Sequence, residues 1–400
     1  MRKLEALNNN LAYSKNAKLA TNFGTIAQRW LGILKTAQNT LTERAKKSTE
    51  IPQVYIAGSA LDPETAKKRF KGRQDIFREI ENFSLMDQPP VLLLNGGRRT
   101  GKTSSLKYLP DKVGSDIVPL LVDMQGSAVA TTLKGIAAYL AEAIIKAAQK
   151  SRNLELPYPD WEKRPDEPFL SLQDWFTTIE RQVPGKRFLL CLDEYERLGE
   201  VVSSTGSRAP LNFLRHNLQH NRRWILLFSG VHIVSELEPY WSDYLINARS
   251  LRLSYLKEDE ARELVTAPIP DFPSIYEPAA VDTIIQETGC QPYLVQLLCS
   301  VVVDHLNSQK RQLATPEDVQ TCLPKAIEIG DPYFNELWTK LPENDQNLLL
   351  TLVTGEKLDP LPGVSLQRLM KKDILHKTAQ GYGFQVPLIE RYIENLAQSL

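Results

Sequence analysis

The stretch Gly96-Gly97-Arg98-Arg99-Thr100-Gly101-Lys102-Thr103 constrains this chain more than any other. It satisfies GxxxxGK[ST] at every fixed position, and its setting agrees with it. The apolar run 91–95 leads in as a short buried strand, and Ser104-Ser105-Leu106 continues as a helix. Strand, Gly-rich loop and helix start, in that order, make a phosphate cradle. The glycines let successive backbone N–H groups converge on phosphate oxygens, and the helix adds unpaired donors and the positive end of its dipole. In such a cradle Lys102 reaches the β- and γ-phosphates and the Thr103 hydroxyl coordinates Mg2+. Residues 96–104 are therefore the candidate nucleotide-binding loop, with Ser104 in its last position.

A second segment supplies the acids. Residues 188–194 read Phe-Leu-Leu-Cys-Leu-Asp-Glu, an apolar run closed by an acidic pair. At the carboxyl end of a buried strand, Asp193 holds the Mg2+ hydration shell beside Thr103, and Glu194 is placed to polarise an attacking water. Many P-loop proteins that only switch on nucleotide lack the second acid, so Glu194 points to hydrolysis. A third run, 224–228, ends in Ser229-Gly230. If it lies beside the strand of Asp193, Ser229 reaches the γ-phosphate or the lytic water, and it joins Lys102 and Glu194 as a catalytic candidate. Arg215, Arg222 and Arg223 precede this strand; one is a candidate arginine finger across a subunit interface, against the simpler reading of surface arginines. His216, His220, His232, His305 and His376 are scattered, with no HExxH and no nearby Cys, so no zinc site is expected.

Composition narrows the setting. Lys plus Arg and Asp plus Glu each number 48 in the 400 residues, which excludes a polyanion binder acting by bulk charge but allows a local basic patch. A hydrophobic fraction of 42% with 24% charged residues fits a soluble globular chain and excludes wholesale disorder. At roughly 150 residues per domain, two or three domains fit this length. No apolar run reaches the roughly 18–20 residues that cross a bilayer. The opening Met-Arg-Lys-Leu-Glu-Ala-Leu-Asn lacks the apolar stretch of a secretory signal. Cys191, Cys290, Cys299 and Cys322 form no CxxC pair and fit a reducing compartment. The expected location is the cytoplasm, without a membrane partner.

Periodicity divides the chain in four. Residues 1–50 carry Phe23, Ile26, Trp30, Ile33, Leu34, Ala37 and Leu41 at helical steps, an amphipathic arm that needs a partner surface, its own body or another subunit. Residues 51–254 alternate strands, at 91–95, 117–123, 187–192 and 224–229, with helices. Near-continuous apolar strands suit a parallel sheet covered on both faces, so this is an α/β domain. Residues 255–330 read as helices at 257–267, 278–288, 292–308 and 315–329, the last capped by Thr315 with Pro316 following. Residues 331–400 read as helix, helix, β-hairpin and helix, the order of a winged helix-turn-helix.

With these residues in view, the chain resembles prokaryotic AAA-type ATPases of the STAND and archaeal-ATPase kind, relatives of the ORC/Cdc6 group. The resemblance rests on Phe70-Lys71-Gly72-Arg73 with Asp75, on residues 96–103, on residues 190–194 and on Thr288-Gly289-Cys290-Gln291-Pro292-Tyr293. It implies a P-loop parallel sheet followed by a helical lid and a C-terminal winged helix. It also implies that Arg73 and Pro292 join the nucleotide pocket, with Pro292 against adenine, and that Asp193 and Glu194 form the Mg2+ and water-activating pair. A basic residue at the start of the third lid helix, common in AAA-type proteins, has no match between Tyr293 and Cys299, a departure from the conventional hexameric ring. No NKxD signature lies where a GTPase needs one, so ATP and ADP are the expected nucleotides.

Three functions follow. The first is a signalling or defence switch in which nucleotide controls conformation or self-association, with residues 1–50 and the winged helix as docking elements. The second is a DNA-dependent ATPase of initiator or transposition-regulator type, whose helix 365–372 carries Arg368, Lys371 and Lys372 with Lys377 near the hairpin. Glu343, Asp345, Asp373, Glu390 and Glu394 in the same region weigh against duplex DNA. The third is a scaffold that holds nucleotide without hydrolysing it.

Overall fold

In a computed structural model, four continuously apolar runs become neighbouring strands of one parallel sheet. The structure describes residues 4, 7, 17–47, 50–66, 69–130, 132–231, 238–245, 247–355, 363–379 and 381–399. Two compact units emerge, residues 1–52 with 306–312 and residues 53–305 with 313–400.

The first unit holds helix α1 (Ala17–Lys47), which runs through Gly24 and Gly32 without a break. Its apolar stripe is the expected one, and Phe23, Ile26, Trp30 and Ile33 on it are exposed. The Leu41 side chain lies outside the described residues. Ile51 and Asn307 tie the unit's two segments: the Ile51 N–H donates to Asn307 Oδ1 at 2.7 Å, and Asn307 Nδ2 donates to the Ile51 carbonyl at 2.9 Å.

In the second unit the chain order is α2 (Pro63–Ala66), α3 (Gln74–Ser84), β1 (Leu92–Asn95), α4 (Lys102–Lys112) and β2 (Ile117–Asp123). There follow α5 (Leu133–Arg152), α6 (Pro168–Gln182), β3 (Arg187–Asp193), α7 (Arg197–Thr205), α8 (Ala209–His220) and β4 (Trp224–Gly230). A short α9 (Trp241–Leu245) and β5 (Arg249–Arg252) close the α/β part. The sheet order is β2-β3-β4-β1-β5, and every pairing is parallel.

The period-two alternation of strand side chains explains why the runs are apolar throughout. Leu190, Leu192, Leu226 and Phe228 face α5, α6 and α8 in one core, where Trp224 stacks between Phe176 and Phe188. Leu189, Cys191, Ile225 and Leu227 face α3 and α4 in the other. Both faces exclude water, so neither set of positions tolerates a polar residue.

The fifth strand has no counterpart in the sequence reading, and the reason is physical. β5 is an edge strand reading Arg-Ser-Leu-Arg, with Leu251 as its one buried side chain. An edge needs less apolar surface and carries charge to discourage further pairing.

Helices then take over: α10 (Glu258–Thr266), α11 (Pro278–Thr288), α12 (Pro292–Ser308) and α13 (Pro316–Thr339). α13 starts at the Thr315 cap, where Thr315 and Asp318 form a reciprocal capping box. It does not stop at 329 but continues through Pro324 and Pro332 to Thr339. Each internal proline costs a backbone hydrogen bond, roughly 3 kcal/mol in an isolated helix. Burial of Leu323, Ala326, Tyr333 and Phe334 on the same helix offsets that cost.

The C-terminal elements are α14 (Glu343–Thr354), α15 (Gly363–Lys371), an antiparallel ribbon of β6 (Leu375–Thr378) and β7 (Gly381–Phe384), and α16 (Pro387–Ser399). Two ion pairs with buried acids fasten them. Arg368 on α15 reaches the fully buried Asp345 on α14 at 3.1 Å, and Arg391 on α16 reaches Glu287 on α11 at 2.9 Å. No helix among the described residues is long and apolar enough to cross a membrane.

Candidate nucleotide site

The site forms where the sheet's central strands run out. β1 ends at Asn95 and the loop turns at Gly96, where a Cβ would lie 2.2 Å from the Leu253 carbonyl oxygen. Only glycine fits there. Gly101 takes φ +97° at the N-cap of α4, and Arg99 is left-handed at φ 58°. These two turns fold the loop so that α4 points its N-terminus into a cavity of about 350 Å³. Residues 98–105, Glu194, Arg73 and Pro292 line that cavity. Ile56, Leu61, Phe70, Leu264 and Tyr293 give it an apolar side. Open α/β sheets place ligands in this position, beyond the carboxyl ends of the strands.

The acids converge on the loop from β3. Thr103 Oγ1 donates to Asp193 Oδ2 at 2.6 Å, and Ser229 Oγ donates to Asp193 Oδ1 at 2.7 Å. The second bond follows from sheet register, since Asp193 and Ser229 are paired residues of β3 and β4. Ser229 is therefore committed to orienting Asp193, and it is not among the residues lining the cavity. Asp193 is buried, while Glu194 turns out at φ 52° and faces the cavity.

Burial pushes the Glu194 carboxyl above its ordinary value, and the negative charges of Glu196 and Asp193 push the same way. Lys102 and Arg98 oppose them. Burial lowers Lys102 from the ordinary lysine value, against the attraction of Glu194, Asp193 and Glu196. The Lys102 ammonium is nonetheless satisfied, donating to the carbonyls of Gly96 at 3.0 Å and Gly97 at 2.9 Å.

Around this centre sit residues that brace the loop. Ser104 Oγ accepts the Leu61 N–H at 3.1 Å, and Thr100 Oγ1 donates to the Gly97 carbonyl at 2.9 Å. Arg73 lines the cavity, but its guanidinium is spent on backbone: Nη2 donates to the Thr100 carbonyl at 2.9 Å and Nη1 to that of Tyr255 at 3.2 Å. It is buried and left-handed at φ 69°, with its own N–H held by Glu260. Its geometry is that of a strut between the loop and the segment leading into α10.

The helical side contributes Pro292 in the first turn of α12, within the apolar part of the cavity. Tyr293 beside it lies under the Arg99 guanidinium, 4.3 Å from ring centroid to Cζ. The buried Gln291 donates to the Arg99 carbonyl at 3.4 Å. Arg98 forms an ion pair at 2.8 Å with Glu336 on α13. Glu336 was invisible to sequence reasoning, because no motif marks a lone acid more than two hundred residues beyond the loop.

The other candidates fare differently. Arg223 donates to the carbonyls of Lys186, Glu180 and Val183, so it anchors a turn and is not available as a finger. Arg215 is exposed beside Tyr244. His232 lies outside the described residues. Among the described residues no group of three or more His, Cys, Asp or Glu side chains is placed to hold a metal ion. Thr103 and Asp193 remain as one hydroxyl and one carboxylate, hard oxygen donors of the kind Mg2+ uses when phosphates and water complete its shell.

No protein-family model matches the chain, and no curated protein does. Solved structures do. A Walker-type ATPase of Pyrococcus abyssi superposes with a TM-score of 0.57 at 15% identity, over 84% of this chain and 98% of its own. The fold is that of a Walker-type ATPase. Looser overlaps, both at a TM-score of 0.40, occur with Cdc6p of Pyrobaculum aerophilum and a RuvB variant of Thermotoga maritima. The first is 16% identical over 86% of this chain and 99% of its own, the second 17% identical over 79% and 92%.

Proposed function

We propose that this chain binds ATP with Mg2+, hydrolyses it, and uses the nucleotide state as a switch of conformation or assembly in signalling or defence. The observation that carries the reading is the bonded row Thr103–Asp193–Ser229 beside the phosphate loop, with a half-buried Glu194 facing the same cavity. Thr103 and Asp193 are the residues that would hold Mg2+, which supplies charge neutralisation at the β- and γ-phosphates. The loop N–H groups and the α4 N-terminus receive the phosphates. Lys102 exchanges the two loop carbonyls for phosphate oxygens, a move within one side chain's reach. Glu194 orients a water and takes its proton, and Ser229 keeps Asp193 aligned. Pro292 and its apolar neighbours flank the base.

In this reading residues 51–254 are the nucleotide-binding domain, 255–330 the lid and 331–400 a winged helix, with residues 1–50 as a docking arm for a protein partner or a second copy. Its support is that lid and C-terminal elements hold the loop directly, through Arg98–Glu336 and through Gln291. Duplex DNA as a partner gains less support. Arg368 is engaged by Asp345, and Arg252 of β5 grips the Lys371 carbonyl at 2.9 Å, so helix α15 is tied to α14 and β5. A non-hydrolysing scaffold leaves the placement of Glu194 without a use.

The deciding measurement is steady-state ATP hydrolysis by the full chain, with and without duplex DNA, beside Lys102→Ala and Glu194→Gln. Slow turnover indifferent to DNA and lost in both variants supports the switch. Stimulation by DNA transfers the case to a DNA-dependent ATPase, and turnover unaffected by Glu194→Gln removes the proposed role of that residue.

A further inference from the structure

A second cavity, of about 490 Å³, borders the start of the phosphate loop. Asn95, Gly96 and Gly97 form one wall, Val231, Ser250, Arg252 and Tyr255 add to it, and α13, α15 and the turn after it face them. Its rim is strongly basic. Among the described residues, Arg98, Arg252, Lys340, Arg368, Lys371 and Lys372 border it, with Glu336 and Asp373 as the carboxylates. Setting Asp345 against Arg368, and leaving Lys372 out of the balance, still gives an excess of two positive charges among the described residues. The floor has the opposite character, with Tyr333, Leu337, Leu341 and Ile374. A pocket of this size, apolar below and cationic above, matches a flat organic molecule carrying a multiply charged anion. Arg252 and Arg368 are held by Asp373 and Asp345, so a phosphate is met by Lys340, by Lys371 and by the Arg98 fork, which it can win from Glu336.

We propose that this cavity binds a phosphorylated aromatic molecule of about mononucleotide size, as an effector of the switch described above. The geometry also supplies the coupling. Arg98, Glu336 and Val231 border both cavities, so the Arg98–Glu336 pair is a partition between them. A phosphate entering the second cavity competes with Glu336 for Arg98, which belongs to the loop that holds the nucleotide. Lys340, also paired with Glu336 at 2.8 Å, joins the exchange. Whatever free energy the effector gains from Arg98 in one nucleotide state and not the other appears equally in nucleotide affinity. The coupling rests on the ATP-switch reading; the site itself does not.

The test is calorimetric titration of 1-naphthyl phosphate into the full chain saturated with ADP and Mg2+. Inorganic phosphate and AMP serve as parallel probes. One molecule bound per chain is expected, with inorganic phosphate weaker by about tenfold or more for want of the apolar floor. Tighter binding of AMP than of 1-naphthyl phosphate assigns the natural ligand to nucleotides, and the reverse to other aryl phosphates. Two variants probe the pocket from independent directions. Leu337→Trp fills the floor, and Lys340→Ala with Lys371→Ala strips the rim; each should weaken binding by about tenfold while the melting temperature holds. Lys102→Ala separates the two readings, since it should lose ADP and keep 1-naphthyl phosphate. No binding to the ADP-loaded chain, or binding indifferent to both pocket variants, overturns the proposal. Failure of ADP itself to bind, with the probe still lost in Leu337→Trp, overturns the ATP reading and leaves the second site standing.

Discussion

Glu194 is held in surroundings that favour its protonated form, burial first and the acids Glu196 and Asp193 next. A water-activating carboxylate must be ionised, so hydrolysis is expected to fall on acidification at a pH above the ordinary glutamate range. The Glu196→Gln variant should move that acid limb downward, which a pH–rate profile will register. The same environment makes a prediction about stability. Because the folded state holds this proton more tightly than the unfolded chain, Glu194 lends its stability below the unfolded pKa and loses it as pH rises through the raised folded value. At neutral pH the ionised residue therefore costs stability. Glu194→Gln should cut turnover by about 100-fold or more and raise the melting temperature at pH 7, with no such rise in acid. Ser229 makes a different claim. Its hydroxyl serves Asp193, so Ser229→Ala should cost about 1 kcal/mol of stability and raise the Mg2+ concentration for half-maximal hydrolysis. ADP affinity without Mg2+ should stay put, whereas a serine touching the phosphate directly would change it.

Among the elements, α13 does most to join distant parts, since it carries both Tyr333 and Glu336 to the loop side of the chain. The Arg98–Glu336 pair is partly exposed and worth little as a stabiliser, on the order of 1 kcal/mol or less. Glu336→Ala should barely move the melting temperature and yet speed release of a fluorescent ADP analogue several-fold, measured by stopped flow. Equal release rates would mean the pair does not restrain the loop. Sequence patterns reached some elements and not others for identifiable reasons. β1 to β4 were legible because burial on both faces leaves uninterrupted apolar runs. β5 was not, having a single inward residue, and the end of α13 was hidden behind Pro332. In the site, residues 96–104 and the acidic pair were legible because each cluster is contiguous in the chain. The partners of Ser229, Arg73 and Arg98 depend on strand order and on helices brought from far along the sequence. Arg73 was expected in the pocket, and its hydrogen bonds make it a brace for Thr100 and Tyr255.

At the scale of the whole second unit, Asp373 gathers three of the bonds that fasten the C-terminal elements to the α/β part. It is left-handed at φ 57°, and its carboxylate takes Arg252 at 2.7 Å and Ser254 at 2.9 Å, while its carbonyl takes the Tyr255 hydroxyl at 3.0 Å. Gly289 adds a close approach, since a Cβ there would sit 2.3 Å from the Gln385 carbonyl oxygen. If release of these elements is the switch, Asp373→Ala should promote assembly with a non-hydrolysable ATP analogue at lower protein concentration than wild type. Sedimentation in ADP and in the analogue will show it, and identical behaviour of the two proteins would place the switch elsewhere. The charged outer strand bears on how such assemblies are built. β5 ends the sheet with arginine at both termini, and a neighbour seeking to extend the sheet would have to desolvate them. Fibre-like growth through backbone pairing is discouraged at that margin, so a partner meeting β5 has side-chain surfaces to bind and no open ladder to extend.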